Sequence, residues 1–339
     1  FLRGITSLRL QRNYCRRYSK FVASVEEMVE NIKLGNARYV SKAITLGEST
    51  MKSDREKASK IMSLLLKERK NTSNNSIRIG ISGPPGVGKS TLIESFGMKL
   101  IEHGHKVGVL AVDPSSNRSG GSILGDKTRM PRLSVAPEAF IRPSPSRGYL
   151  GGVAKGTHAA IHILEAAGYD RILVETVGVG QSEVHVDSMV DLFLLLLPPG
   201  GGDELQGIKK GVVELADIIA ITKADGELLN AAKNASKEYA GALTLLRPKS
   251  DFWQPKTIIS STREPNGLDS LLQCISDFEE KAKNAAGFSV KRESQAVEWM
   301  WKMVEEELLY RVKLDEHVKE TLPNILSSLK DGSMLAEDG

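Results

Sequence analysis

The 339-residue sequence predicts an α/β protein with a mostly parallel central sheet, and three observations carry that expectation. Short apolar runs recur at about 77–82, 106–112, 139–142, 171–175, 190–197, 217–222 and 256–260. They are apolar almost throughout, as strands covered on both faces are, and the segments between them are long enough for crossover helices. The composition, 40% hydrophobic and 26% charged with only two cysteines, belongs to a globular chain rather than a disordered, collagenous or disulfide-stapled one.

The elements follow in order. Arg3, Arg9, Arg12, Arg16, Arg17 and Lys20 precede the first acid, Glu26, so this stretch carries more positive charge than the whole chain's net +4. An acid-free, arginine-rich start with interspersed Leu, Ile and Tyr predicts a mitochondrial transit peptide over 1–20, hence the mitochondrial matrix. The alternative is a basic arm for nucleic acid or acidic lipid. No basic stripe with interleaved aromatics follows, so no nucleic-acid partner is expected. Residues 21–75 read as an N-terminal helical segment: Phe21, Val22, Val25, Met28, Val29 and Ile32 recur at helical spacing, as do Ile61, Leu64 and Leu65 within a second stretch. The polar run Asn71 to Ser76 then separates this segment from the strand-bearing domain, 76–284. The most apolar run, Val190 to Pro199, is interrupted by Asp191 and too short to cross a bilayer, so no membrane span is expected. In the last segment, 285–339, Val297, Trp301, Val304, Leu308 and Val312 mark one helical face and Trp299, Met303 and Tyr310 another. Two apolar faces need two partners. Either the helix is buried between the main domain and a following helix around Leu322 to Leu329, or it forms a homodimer seam.

Gly83-Pro84-Pro85-Gly86-Val87-Gly88-Lys89-Ser90 matches G-x-x-x-x-G-K-[ST], with a strand before it and a helix from Ser90 to Leu100, through Thr91, after it. Polyphosphate is highly anionic. Backbone N–H groups converging in a glycine-permitted loop and a helix N-terminus can hold it. Lys89 is expected to lie across the β- and γ-phosphates, and the Ser90 hydroxyl to ligate Mg²⁺.

Thr222-Lys223-Ala224-Asp225 follows the apolar strand Ile218 to Ile221 and has the [NT]-K-x-D form. A carboxylate there accepts from guanine N1–H and N2–H₂ together, whereas adenine presents a lone pair at N1 and no N2 amine. Guanine is therefore expected over adenine. The stem of Lys223 can cover one face of the base, and Ser261-Thr262-Arg263 stands where a second guanine loop is expected.

Asp113 and Glu175 each end a strand beside the P-loop, where Mg²⁺ and an attacking water must be. Glu175-Thr176-Val177-Gly178 is a variant of the D-x-x-G switch, with Gly178 free to offer its N–H to the γ-phosphate. Val179 and Gly180 occupy the place of the water-positioning Gln of Ras-like proteins, so unassisted hydrolysis is expected to be slow. Two Gly- and Pro-rich stretches, 115–121 leading to Asp126, Lys127 and Arg129, and 198–204 leading to Lys209 and Lys210, suit loops that reorder with nucleotide state.

Longer stretches carry a resemblance. Val112 to Ser116, Gly120 to Met130, Glu175 to Glu183 and Gly202 to Lys209 closely resemble the MeaB/ArgK family of P-loop GTPases, nearest to its mitochondrial member, over about Phe21 to Leu329. The resemblance implies a P-loop NTPase fold of the SIMIBI-type G domain. It implies a GTPase chaperone of methylmalonyl-CoA mutase that uses GTP, GDP and Mg²⁺, gates the loading of adenosylcobalamin and guards or replaces damaged cofactor. It also implies a homodimer formed through the C-terminal helices. By position, Lys89, Asp113, Asp126 and Glu175 resemble that family's Mg²⁺ and hydrolysis set, and Lys209 the residue that becomes catalytic when the mutase is bound. Ser261-Thr262-Arg263 departs from the usual Ser-Ala-Arg.

Two rival functions predict different residues. A nickel-inserting maturation GTPase needs soft or imidazole ligands, for which only His103 with His105 and His158 with His162 are close in sequence. An ATP-dependent kinase or transport ATPase predicts no guanine selectivity, against which Asp225 argues.

Overall fold

A computed structural model describes residues 23–49, 51–69, 75–113, 130–145, 150–176, 181–200 and 210–337. Its centre is a seven-stranded sheet of β1 (Ile77–Ser82), β2 (Val107–Asp113), β3 (Ala139–Pro145), β4 (Arg171–Thr176), β5 (Leu192–Leu197), β6 (Ile218–Ile221) and β7 (Lys256–Ile259). The strand order is β3-β2-β4-β1-β5-β6-β7, and every pairing is parallel rather than merely most of them.

Side-chain alternation along the strands divides the core in two. Ile77, Ile79 and Ile81 of β1 and Leu192, Leu194 and Leu196 of β5 face one side. There they meet Leu92, Ile93 and Phe96 of α4 (Lys89–Glu102) and Leu271, Ile275 and Phe278 of α9 (Asp269–Asn284). On the opposite side Ile172, Val174 and Phe193 pack with Ile161 and Leu164 of α5 (Leu150–Ala166) and with Val186 of α6 (Gln181–Asp187). Leu195, Leu197, Ile219 and Ile221 pack with α8 (Leu229–Leu243). The short α7 (Lys210–Glu214) precedes β6.

The N-terminal segment forms three helices, α1 (Val25–Lys33), α2 (Ala37–Glu48) and α3 (Lys52–Arg69). Ser24 caps α1 by accepting from the Glu27 N–H, and Asn36 caps α2 by accepting from the Arg38 N–H. Met28, Ile32, Val40, Ile44 and Ile61 join the same apolar cluster as α5, so these helices extend the core of the sheet.

At the other end, α10 (Gly287–Leu314) starts ten residues before the stretch marked in the sequence and is followed by α11 (Glu316–Lys330). Its first turns are clamped by polar groups. Arg292 donates to both oxygens of Asp191, at 2.7 and 2.5 Å, and to the Ser76 carbonyl, while Gln295 donates to the Asp187 and Val190 carbonyls. Trp299 stacks on His158 of α5, with ring centroids 4.8 Å apart. Beyond that contact the apolar positions are open. Val297, Trp301, Val304, Leu308 and Val312 are 40% to 58% exposed, and Met303, Tyr310, Leu322 and Leu326 are exposed as well. The alternative of burial between the main domain and α11 is therefore corrected. Among the described residues nothing covers the face of Val297, Trp301, Val304, Leu308 and Val312, and of the other face only Trp299 is packed, against His158.

Candidate functional site

Because the strands are all parallel, the carboxyl ends of β1, β4, β5, β6 and β7 lie along one edge of the sheet, and β1 lies between β4 and β5. Open α/β sheets bind ligands at such an edge. Gly83 to Gly88 turn from β1 into α4. A Cβ at Gly83 would lie 2.4 Å from the Leu196 carbonyl oxygen of β5, so only glycine lets the loop lie this close to the sheet. Gly88 adopts φ 99°, a conformation that L side chains rarely take, and α4 starts with no side-chain cap. The first N–H groups of α4, among them those of Ser90 and Thr91, are thus left for a ligand, and the helix dipole favours an anion there.

The charged groups converge on this turn. Lys89 Nζ donates to the carbonyls of Gly83 (2.6 Å) and Pro84 (3.1 Å), folded back over its own loop. Burial pushes its pKa down, and the carboxylates of Glu175 and Glu183 oppose that shift. Ser90 Oγ donates to Glu175 Oε1 at 3.1 Å. A hydroxyl and a carboxylate held together supply the hard oxygen ligands that Mg²⁺ takes, and a lysine on the loop axis suits polyphosphate, so the residues present fit both groups.

The base-recognition elements stand beside this turn. Thr222 Oγ1 donates to the Val87 carbonyl (2.9 Å), and Lys223, at φ 55°, extends its Nζ to the Gly86 carbonyl (2.9 Å). A non-glycine residue in that conformation is strained, and such strain persists where the surroundings impose it. The Ala224 N–H donates to the Ser260 carbonyl, which ties the ends of β6 and β7 together. Asp225, its side chain only 13% exposed, accepts from Ser261 Oγ at 2.6 Å, and Arg263 Nη1 lies 3.6 Å from its other oxygen. Ser261 also accepts from the Arg263 N–H, while Thr262 and Arg263 are exposed. The structure thus brings together Lys89, Ser90 and Glu175 as one cluster and Lys223, Asp225, Ser261 and Arg263 as a second, joined by the Thr222 and Lys223 bonds to the P-loop.

Asp113 ends β2 at the same sheet edge, but its side chain lies outside the described residues, as do Gly178, Asp126 and Lys209. His158 is accounted for by packing. Burial first, then the neighbouring His162 and Arg78, push its pKa down to about 3, opposed by Glu165. His162 faces Glu165, which forms a salt bridge with Arg78.

Glu183 of α6 is 2% exposed and accepts from Ser82, the residue before the P-loop. Its only sequence signal is its place at the end of the Glu175 to Glu183 stretch.

A strand–loop–helix P-loop joined to a T-K-x-D loop and a serine-bearing loop at one sheet edge defines a P-loop GTPase. The family model described as "Methylmalonyl Co-A mutase-associated GTPase MeaB" matches residues 40–317. The chain belongs to the MeaB family of GTPases, and with that membership comes the use of guanine nucleotide and Mg²⁺. It is 45% identical over 316 residues to the mitochondrial methylmalonic aciduria type A homolog of Mus musculus, covering 91% of this chain and 76% of that protein. It is 42% identical over 317 residues to the GTPase ArgK of Escherichia coli, covering 94% and 95%. Among solved structures, that of an LAO/AO transport system kinase superposes with a TM-score of 0.74 at 34% identity, covering 94% of this chain and 96% of that one. No helix among the described residues is long and apolar enough to cross a membrane.

Proposed function

We propose that this GTPase is a chaperone of methylmalonyl-CoA mutase, which gates adenosylcobalamin loading and protects or reactivates the mutase. The observation that carries the reading is the 45% identity to the mouse mitochondrial protein over 91% of the chain, within a family named for its association with that mutase. The bacterial relatives are named only as GTPases, which agrees with the chemistry and leaves the client to the mitochondrial relative.

In this reading Gly83 to Gly88 and the N-terminus of α4, with Thr91, cradle the phosphates. Lys89 leaves the Gly83 and Pro84 carbonyls for the β- and γ-phosphates. Ser90, Asp113, Asp126 and Glu175 hold Mg²⁺, which when bound neutralises charge on the phosphates. Gly178 offers its N–H to the γ-phosphate. Asp225, oriented by Ser261, reads the guanine edge, and Lys223, Thr262 and Arg263 border the base. Without a Gln at the water-positioning place, basal turnover is slow, and the mutase raises it by bringing Lys209 into the site. The acid-free arginine-rich segment 1–20 directs the chain to the mitochondrial matrix, in keeping with its mouse relative's location. The helical segments 21–75 and 285–339 flank the GTPase domain 76–284. The exposed apolar faces of α10 and α11 join two copies as a homodimer.

Pull-down of the purified chain with methylmalonyl-CoA mutase, in GDP and in a non-hydrolysable GTP analogue, tests the reading. Capture that changes with the nucleotide is expected, and no capture in either state refutes the client. Lys209→Ala is expected to spare basal hydrolysis and blunt its stimulation. Equal loss of both would assign Lys209 a structural role.

A further inference from the structure

Three elements end around the P-loop root, and one hydrogen-bonded chain ties them. Thr176, the last residue of β4, donates through Oγ1 to Ser82 Oγ at 2.9 Å. Ser82, the last residue of β1, donates in turn to Glu183 Oε1 of α6 at 3.2 Å. All three side chains are at most 2% exposed. Ser82 Oγ donates to the Glu183 carboxyl and accepts from Thr176, so the two hydroxyls and the carboxyl form one directed chain. Thr176 adjoins Glu175, which accepts from Ser90, and Ser82 adjoins the loop that carries Lys89.

We infer that Glu183 is a positioning residue for GTP hydrolysis, acting through Ser82 and Thr176 to fix the end of β4, and hence Glu175, against the P-loop. The inference rests on the placement of Lys89, Ser90 and Glu175 at the reaction described above, and needs no mutase. Glu183 itself touches neither phosphate nor metal in this account. Its contribution is to the spacing of the groups that do, and small displacements of such groups are costly to turnover.

The test is single-site kinetics of GTP hydrolysis, with rates expressed per nucleotide-binding molecule as titrated with GDP. Glu183→Ala is expected to lower kcat by about tenfold to a hundredfold while KM for GTP stays within about threefold. Glu183→Gln keeps an acceptor oxygen for Ser82 and is expected to stay within about threefold of the parent kcat. Thr176→Val breaks the far end of the chain and should reproduce the loss, and its combination with Glu183→Ala should be no worse than the worse single variant. It also serves as the readout should Glu183→Ala fail to fold. Unchanged kcat in Glu183→Ala overturns the inference. So does a Gln variant as impaired as the Ala variant, additive losses in the double variant, or a Glu183→Ala effect confined to thermal stability. Parent turnover and its loss in Lys89→Ala report on the site itself, so failure there is separable from failure of the Glu183 relay.

Discussion

At the scale of single residues the site depends on groups whose partners are replaced when ligand arrives. Lys89 rests on two loop carbonyls and is buried enough for its pKa to be depressed, a state that a polyphosphate relieves. Lys89→Ala is expected to weaken GDP binding by at least about a hundredfold in a calorimetric titration, because it removes charge-assisted contacts from a partly dry site. Unaltered GDP affinity would contradict the phosphate assignment. Asp225 is a sharper probe. Its carboxylate is held by Ser261, and replacing it with Asn presents a donor where guanine N1–H and N2–H₂ also donate. Asp225→Asn should reduce the preference for GTP over ATP by about a hundredfold or more in competitive binding, and unchanged discrimination would remove the guanine argument. Both residues were legible because they lie in contiguous motifs at strand ends. Glu183 was not, since its significance comes from two hydroxyls distant in sequence, at Ser82 and through it at Thr176.

Among the elements, the base of α10 is fastened by a buried ion pair as well as by the packing of Phe288 on the core. Asp191 is wholly buried and takes both of its oxygens to Arg292, one of them also accepting from the Arg78 N–H. Arg292→Ala leaves that carboxylate without its counter-ion and should cost about 3–5 kcal/mol in urea unfolding. A cost below about 1 kcal/mol would mean the clamp is only a surface pair. The neighbouring contact of α5 with α10 carries a pH signature. His158 has a folded pKa near 3, below its ordinary value of 6.5, so the unfolded chain binds the proton first as pH falls. Its contribution is intact above about 6.5 and erodes towards 3, by up to about 1.4 kcal/mol per pH unit. His158→Gln should flatten that part of the stability profile measured by denaturant melts, and an unchanged slope would place the proton elsewhere. Six of the seven strands are readable to within two residues because each is a short, largely apolar run, whereas β3 continues three residues past its apolar start, through Pro143 to Pro145. Helix α2 lies inside the segment 21–75 that reads as helical but has no helical spacing of its own to mark it: Val40, Ile44 and Thr45 are better suited by propensity to strands, and packing against α5 decides the outcome. The first ten residues of α10 show no apolar spacing, because polar Arg292 and Gln295 fasten them alongside the single aromatic Phe288.

For the molecule as a whole, the sheet holds the nucleotide edge while α10 and α11 project apolar side chains that the described residues leave uncovered. Burial of such a face by a second copy predicts a dimer in sedimentation equilibrium, and Trp301→Glu with Leu308→Glu should shift it to monomer with GDP binding retained. A monomeric parent protein would contradict the seam. Both apolar faces were visible in the sequence, but their occupant was not, because periodicity reports that a surface must be covered and not by what. In the proposed function the guanine site answers to a protein client. The most direct test of that link is the rate of GTP hydrolysis by one preparation, alone and with stoichiometric methylmalonyl-CoA mutase. A slow rate raised at least about tenfold by the mutase is the predicted result; a rate indifferent to the mutase, under conditions where GDP is bound tightly, would contradict it.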